Sequence, residues 1–566
     1  MRNLTQSEIS ILCSAGNRAD DWQTLFVDEN FDINTIQNCR FGGRVEIEAG
    51  VTLLDSTISN YHICSGAKVI STTCLECRKE SSFGNGVMVS TVNDNEGRAV
   101  AIHNDLTAQE AYISAMYRHR KDTVKLLTDH ALSRAESLRS TMGKVGKNST
   151  IVGAKFIRET NIGENVTIDG ASLIQNATLL EGVKIGVDVK AVDFIAAQRA
   201  RVDMGAIVES CFIGEDVIVS NGFTAVGSLI FAGSHLENGE ASSVFAGPYT
   251  VSHHKSSLLI AGVFSFFNAG SGTNQSNHLF KCGAVHQSVH RRGCKFASNG
   301  YVMSPAAEGE FSLILGRHSK HHDTSLMPFS YLIENSGVTT LLPGFGLRSY
   351  GTIRDIEKWQ QRDKRAFCRD IISYEEYNPL LAGKAIKAVK ILTTLKTENP
   401  DAEQYHYNNT TIKSGAASRG ITLYNQYITA SLGAMLSKGC GSAEHATKWV
   451  DLSGQYIDKT YLDNLLDNLT SVEELNSALK AFDAGYTDAA HAWAVAALAD
   501  RLGKIPTAED IDKAIADGKH AHEAMRRVTD ADRLSDCSKA MAVGYGTDSD
   551  SEEEVMEDFR VVRNLS

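Results

Sequence analysis

The chain has 566 residues, so more than one domain, or a domain with an elongated repeat, is expected. Hydrophobic residues make up 42% and charged residues 22%, the balance of a folded rather than a disordered chain. A net charge of −12 excludes non-specific nucleic-acid binding as its purpose, and no run approaches the roughly 18 apolar residues of a membrane span.

The opening residues, MRNLTQSEISILCSAG, lack the apolar core of a secretory signal, so a cytoplasmic location is expected. The 11 cysteines, odd in number and scattered from Cys13 to Cys537, fit a reducing compartment better than a disulfide framework. Cys74 and Cys77 form a lone CxxC without a second pair at zinc-finger spacing.

Aliphatic residues recur every six positions in the first segment, 1–104: Phe41, Ile47 and Leu53, then Ile63 and Val69. Thr107 and Glu110 read as a capping box. They open a stretch without Gly or Pro, where Tyr112, Met116, Val124, Leu127 and Leu132 predict a helical insertion over 105–142. The six-residue step returns in 143–355, at Phe156, Ile162, Ile168 and Ile174, and at Ile207, Ile213 and Val219. Three segments there read I-G-x-x-V: Ile162 to Val166, Ile185 to Val189 and Ile213 to Val217. A six-residue step fits neither a helix nor an alternating strand. It is the signature of a β-solenoid, each hexapeptide giving one short strand and a corner taken by glycine or asparagine. Neighbouring coils must stack to bury their aliphatic side chains.

From His235 to His322 lie nine of the chain's 18 histidines. They are His235, His253, His254, His278, His286, His290, His318, His321 and His322, interleaved with Lys255, Arg291, Arg292, Arg317 and Lys320. Histidine suits acid–base work near neutrality and is the commonest metal ligand. Three hexapeptides make a coil of about 18 residues, which would stack His235 on His253, His254 on His290 and His286 on His322.

Past Asp355 the period becomes helical, as at Leu381, Ala385, Val389, Leu392 and Leu395. A helical C-terminal domain is expected over 356–545, with Tyr405, His406 and Tyr407 placed to cap the solenoid. The acidic tail, 546–566, reads as a solvated terminus.

The hexapeptide runs resemble the left-handed β-helix superfamily of sugar acyltransferases, trimerising nucleotidyltransferase tails and gamma-class carbonic anhydrases. A closer resemblance rests on Ser220-Asn-Gly-Phe-Thr224, Asn238-Gly-Glu240, Gly247-Pro248, Ser252-His-His-Lys255, Phe264-Ser-Phe266, Pro328-Phe-Ser-Tyr-Leu332 and Arg354-Asp-Ile-Glu-Lys-Trp359. These look like a large bacterial family catalogued only as a domain of unknown function. The two resemblances imply a mainly β protein with an α domain: a left-handed parallel β-helix with a helical arm and a helical C-terminal domain, assembled as a homo-oligomer, most simply a trimer.

Three functions compete for the histidine-rich region. The preferred one is transferase chemistry on an anionic sugar or nucleotide-sugar, with acyl-CoA or an acyl carrier as a possible donor. A histidine would act as general base, contributing on the order of 10²–10⁴-fold. His253, His254, Lys255 and His278 are its candidate catalytic residues. Asn268, Asn274, Asn277, Arg291, Arg292 and Arg317 are its candidate substrate contacts, arginine being suited to phosphate and carboxylate. The second is a metal-dependent hydratase or hydrolase of the gamma-class anhydrase type, with a divalent metal on His286, His290, His318 and His322. Its spacing departs from the anhydrase pattern. The third is a non-catalytic oligomeric scaffold, in which the histidines hydrogen-bond turns.

Overall fold

The computed structural model describes residues 1–93, 97–276, 287–439 and 448–565. One column of short strands runs in parallel pairings from Ile36–Gln37 through Thr150–Val152 to Tyr331–Asn335. Around it the chain winds as a β-solenoid. One coil holds Thr150–Val152 and Phe156–Ile162, and the next Thr167–Asp169 and Leu173–Leu179.

The coil is 17 residues in its regular stretch, not 18: Thr150 lies beside Thr167, Thr167 beside Lys184 and Lys184 beside Arg201. Interior positions advance by six, five and six residues, as in Ile151, Ile157, Ile162 and Ile168, none more than 1% exposed. The five-residue step arises where one corner shrinks to a single residue in the left-handed conformation. Glu159, Asn176, Asp193 and Ser210 occupy it in successive coils, with φ of 42°, 47°, 55° and 50°. The strict six-residue reading therefore slips. Phe156 and Ile207 point outward, while their neighbours Ile157 and Val208 fill the core.

The I-G-x-x-V element forms another corner. Both of its aliphatic residues are buried in all three copies. Its glycine does not take the left-handed turn; Asn165, Asp188 and Asp216, the fourth residues, do. Asn and Asp tolerate that region through local hydrogen bonding. The glycine allows one coil to approach the next, since a Cβ on Gly163 would lie 2.8 Å from the Leu179 carbonyl oxygen.

Both solenoid ends are covered, which removes open strand edges. Helix Gln6–Ser14, opened by a Thr5/Glu8 capping box, buries Leu12 against the first coils. At the other end the hairpin Gln404–Tyr407/Thr410–Lys413 joins strand Val338–Leu342 through Thr340 and Thr411. Tyr405 is buried there, and Asn408 Nδ2 donates to the Asp323 carbonyl at 3.0 Å. The Tyr405–Tyr407 segment thus does cap the solenoid.

The arm is two helices, Ala108–Met116 and Lys121–Ser137, rather than one. Thr107 accepts from the Glu110 amide, but the capping box is only half made. The Glu110 side chain turns instead to His103, 2.9 Å away, and both are buried. Leu132, expected on the apolar face, is exposed. Ile113, Tyr117 and Leu127 pack on Leu452, Ile457 and Leu462, tying the arm to the C-terminal domain.

That domain contains the helices Pro379–Glu398, Ser414–Leu436, Tyr486–Leu502 and Ala508–Ser535. Asn378 caps the first through the Leu381 amide, with Pro379 in the first turn. Its core is continuous with Phe311, Met327, Phe329 and Leu332 of the last coils. The tail is not merely solvated: Glu552–Val562 is a helix, with Ser551 as its cap and acidic residues in its first turn. Phe559 is buried and its ring meets Tyr545.

Candidate functional site

The last coils carry a polar network where the regular coils are aliphatic. Register places His290 beside Glu308, and Glu308 beside Thr324. His290 Nδ1 lies 2.6 Å from Glu308 Oε2, and His322 Nε2 lies 2.7 Å from Glu308 Oε1. All three side chains are sealed from solvent. The His290 ring stacks on Phe264 and meets Phe296 edge-on, so it sits within the solenoid interior.

The protonation pattern follows from the partners. A carboxylate only accepts, so both imidazoles donate to Glu308. His322 Nδ1 faces the Lys320 carbonyl oxygen at 3.2 Å, so that nitrogen also carries hydrogen and His322 is an imidazolium. Burial works against this charge, but Glu308 outweighs it and raises the His322 pKa. Burial alone would raise Glu308; His290 and His322 hold it well below the usual carboxylate range. His318 Nδ1 meets Thr339 Oγ1 at 2.9 Å, and burial with the nearby His322 pushes its pKa down to about 4.

Glu308 fixes the Nδ1–H tautomer of His290 and leaves Nε2 without a partner among the described residues. A cavity of about 30 Å³, room for about one water, is lined in part by His290. Its walls include Tyr112, Arg291, Glu310, Asp451 and Ser453. Tyr112, Arg291 and Asp451 also line a far larger cavity of about 1380 Å³ between the last coils, the arm and the helical domain. Trp449 and Trp493 give it aromatic walls, and Lys384, Lys387, Lys448 and Arg501 supply positive charge.

Two cations distinguish this cavity. The Arg291 guanidinium makes no hydrogen bond or ion pair among the described residues, and its buried Nε is unpartnered. Burial opposes its charge, but Glu310 heads the groups that hold its pKa raised. Lys384 pairs with Glu310, and burial pushes its ammonium down to about 8; Glu310 opposes this shift and Arg291 assists it. A buried donor without a partner, as at Arg291 Nε, costs free energy that an anionic ligand would recover.

Arg292 is committed elsewhere. It donates to Asp451 at 2.7 Å and to the Ser373 and Gly454 carbonyls, sandwiched between the Phe266 and Tyr456 rings. This clamp fastens the helical domain to the solenoid. His253, His254 and Lys255 occupy an exposed corner apart from the cavity. There His253 Nδ1 meets Glu237 at 3.1 Å, and its ring lies 5.8 Å from His235. Asn268 and Asn274 sit half-buried on strands, and Arg317 is exposed over Tyr301. His278, Asn277 and His286 lie outside the described residues. Among the described residues, the nitrogens of His290, His318 and His322 do not all gather at metal-binding distance.

Glu308, Glu310 and Lys384 escaped the sequence reading, as did the tryptophans. Counting one coil on from His290 would have found Glu308. Lys384, between Leu381 and Ala385, is the first of three lysines spaced three apart, with Lys387 and Lys390, and nothing in that pattern marked it as the one beside Glu310.

Residues 48–396, more than half of the chain, match the family described as Domain of unknown function (DUF4954). The chain belongs to that family. Residues 432–565 match a second, Domain of unknown function (DUF6819), which covers much of the helical domain. The junction cavity draws residues from both matched regions. A comparison with curated proteins finds no match.

Proposed function

We propose that the junction cavity binds an anionic organic molecule and that the protein is a transferase acting on it, a nucleotide-sugar or sugar phosphate being the class that fits best. The observation that carries this reading is the half-buried Arg291, whose buried Nε has no hydrogen-bond partner among the described residues, beside Lys384 in a cavity walled by Trp449 and Trp493. Guanidinium and ammonium suit phosphate or carboxylate, and indole rings suit a base or sugar face. His290 is the candidate general base, acting through a water in the small cavity at its side: its Nε2 has no partner among the described residues, and Glu308 orients the ring as the carboxylate of a triad does. Glu308 is a positioning residue. Descent from the left-handed hexapeptide superfamily is part of the same proposal, supported by the stacked parallel strands and the near-six-residue recurrence of buried aliphatic residues, from which the 17-residue coil departs at one corner. A homo-oligomer, a trimer by that resemblance, belongs to the same proposal.

Thermal-shift and calorimetric screening of nucleotide-sugars, sugar phosphates and acyl-CoA tests the reading. The expected result is binding by one class, weakened about 10–100-fold in Arg291→Ala, the loss of a charged hydrogen bond. With the bound class in hand, His290→Asn is expected to retain binding and lose turnover. Binding by none of the three classes, or an unchanged affinity in Arg291→Ala, would sink the proposal.

A further inference from the structure

Far along the chain from the junction, in the first coils, a second cluster stands ready for a ligand. Among the described residues, Glu48, His62 and Cys64 bring a carboxylate oxygen, an imidazole nitrogen and a thiol sulfur within 4.8 Å of one another. The solenoid register creates this meeting. Glu46 lies beside His62 and Ile47 beside Ile63, so the residues that follow, Glu48 and Cys64, stack at one corner. The Glu48 amide donates to the Ile63 carbonyl at 3.0 Å, and the Cys64 amide to the Val145 carbonyl at 2.9 Å. Each backbone is thereby fixed, and the three side chains converge without any long-range loop closure.

We infer that Glu48, His62 and Cys64 form a binding site for a thiophilic divalent metal ion of the zinc class.

The donor set is chemically selective. One sulfur, one imidazole nitrogen and one carboxylate oxygen are the three ligand types of zinc sites, and a thiolate disfavours magnesium and calcium. Three protein ligands leave a fourth position for water or a small molecule. The outer contacts already suit the ion. Glu48 Oε2 accepts from the Ser65 amide at 2.8 Å, which holds the carboxylate in place. His62 Nε2 lies 2.9 Å from Glu48 Oε1, and Nδ1 faces Glu46 Oε2 at 3.9 Å. A metal on Nε2 would place the ring hydrogen on Nδ1, toward Glu46, the usual carboxylate support for a ligating histidine. Binding would release one proton, from the Cys64 thiol, to solvent.

Access and charge are compatible. Cys64 is buried, whereas the side chains of His62 and Glu48 are 32% and 27% exposed, so an ion can enter from outside. In the next coil the same column holds Gly146, which adds no side chain to block it. Lys144, beside His62, and Lys147 are the nearby ammoniums; both are exposed and free to turn to solvent. Glu46, already paired with Arg44, and Glu164 complete the local charges.

The test uses the full chain, purified without an affinity tag and titrated with cobalt(II), then with zinc(II). The expected result is one cobalt equivalent showing thiolate-to-metal charge-transfer absorption, displaced by zinc. Cys64→Ser is expected to abolish the band, and His62→Gln and Glu48→Gln to weaken cobalt binding about tenfold or more. Circular dichroism of each variant separates metal loss from misfolding, and Glu48→Gln, isosteric and partly exposed, is the variant expected to keep the fold. Replacing Cys74 and Cys77 together should leave the band intact. Absence of the band in the unmodified protein, its survival in Cys64→Ser, or its loss with Cys74 and Cys77 would overturn the assignment.

Discussion

The regular coils around Ile151–Ile230 and the last coils around His290–Thr339 share one fold but solve the interior differently. The first fill it with aliphatic side chains, among them Ile168, Ile174, Leu179 and Ile185. The second bury His290, Glu308, His318 and His322, joined by hydrogen bonds and charge. Apolar filling needs only volume and tolerates repetition. A buried ionic network needs every partner in place, and gains from it an oriented imidazole at a cavity wall. The contrast teaches that the interior departs from the aliphatic repeat where the solenoid meets the helical domain and its cavity.

The sharpest way to break this comparison is Glu308→Ala. It strands two imidazoles in a sealed interior, and a loss of about 3–5 kcal/mol is expected in denaturant unfolding. A loss below about 1 kcal/mol would show that the network does not hold the last coils. Ile174→Ala in a regular coil should cost about 2–5 kcal/mol through lost contact and cavity formation. Its effect should not change with pH, which separates the two kinds of core.

Acid should act on the last coils first. His318 is held neutral in the fold down to about 4, whereas the unfolded chain takes up that proton near the ordinary 6.5. Stability therefore falls as pH drops through that window. Glu308, depressed in the fold, adds a further loss below about 4.5 as its unfolded counterpart protonates. His322, raised in the fold, has the opposite sign: its contribution is full below 6.5 and is lost as pH rises through the folded value. Urea unfolding at about pH 7 and pH 5 should show His318→Gln with a flatter profile than the parent chain; equal slopes would contradict this account. The smallest effect is expected at Thr107→Ala. Only half of that capping box is made, so about 1 kcal/mol of stability should go, read from the unfolding midpoint.

Much of the architecture was legible. The recurrence of Ile162, Ile168 and Ile174 identified a solenoid, and the shift of period past Asp355 located the helices. The coil length was not, because a corner of one left-handed residue at Glu159 or Asn176 looks like any polar residue between aliphatic ones. Of the candidate site, Arg291, His290 and His322 were picked out as residues of interest, and histidine density pointed to the coils that hold the buried network. The exposed corner at His253–Lys255 was preferred as the catalytic centre, because sequence does not reveal which of two polar positions faces inward.

By itself the sequence determined a stacked β-coil protein with a helical partner domain, since a near-six-residue recurrence of aliphatic residues has few other ways to be buried. Only the tertiary structure decided that Arg292 is a clamp while Arg291 has no hydrogen bond or ion pair among the described residues, although they are neighbours in the chain. It also decided that Glu308, 18 residues beyond His290, orients that imidazole. Both outcomes depend on coil register and on the docking of Lys384, Trp449 and Trp493 from a distant domain. Such placements are set by packing across the whole molecule, whereas local periodicity carries information only about the next turn.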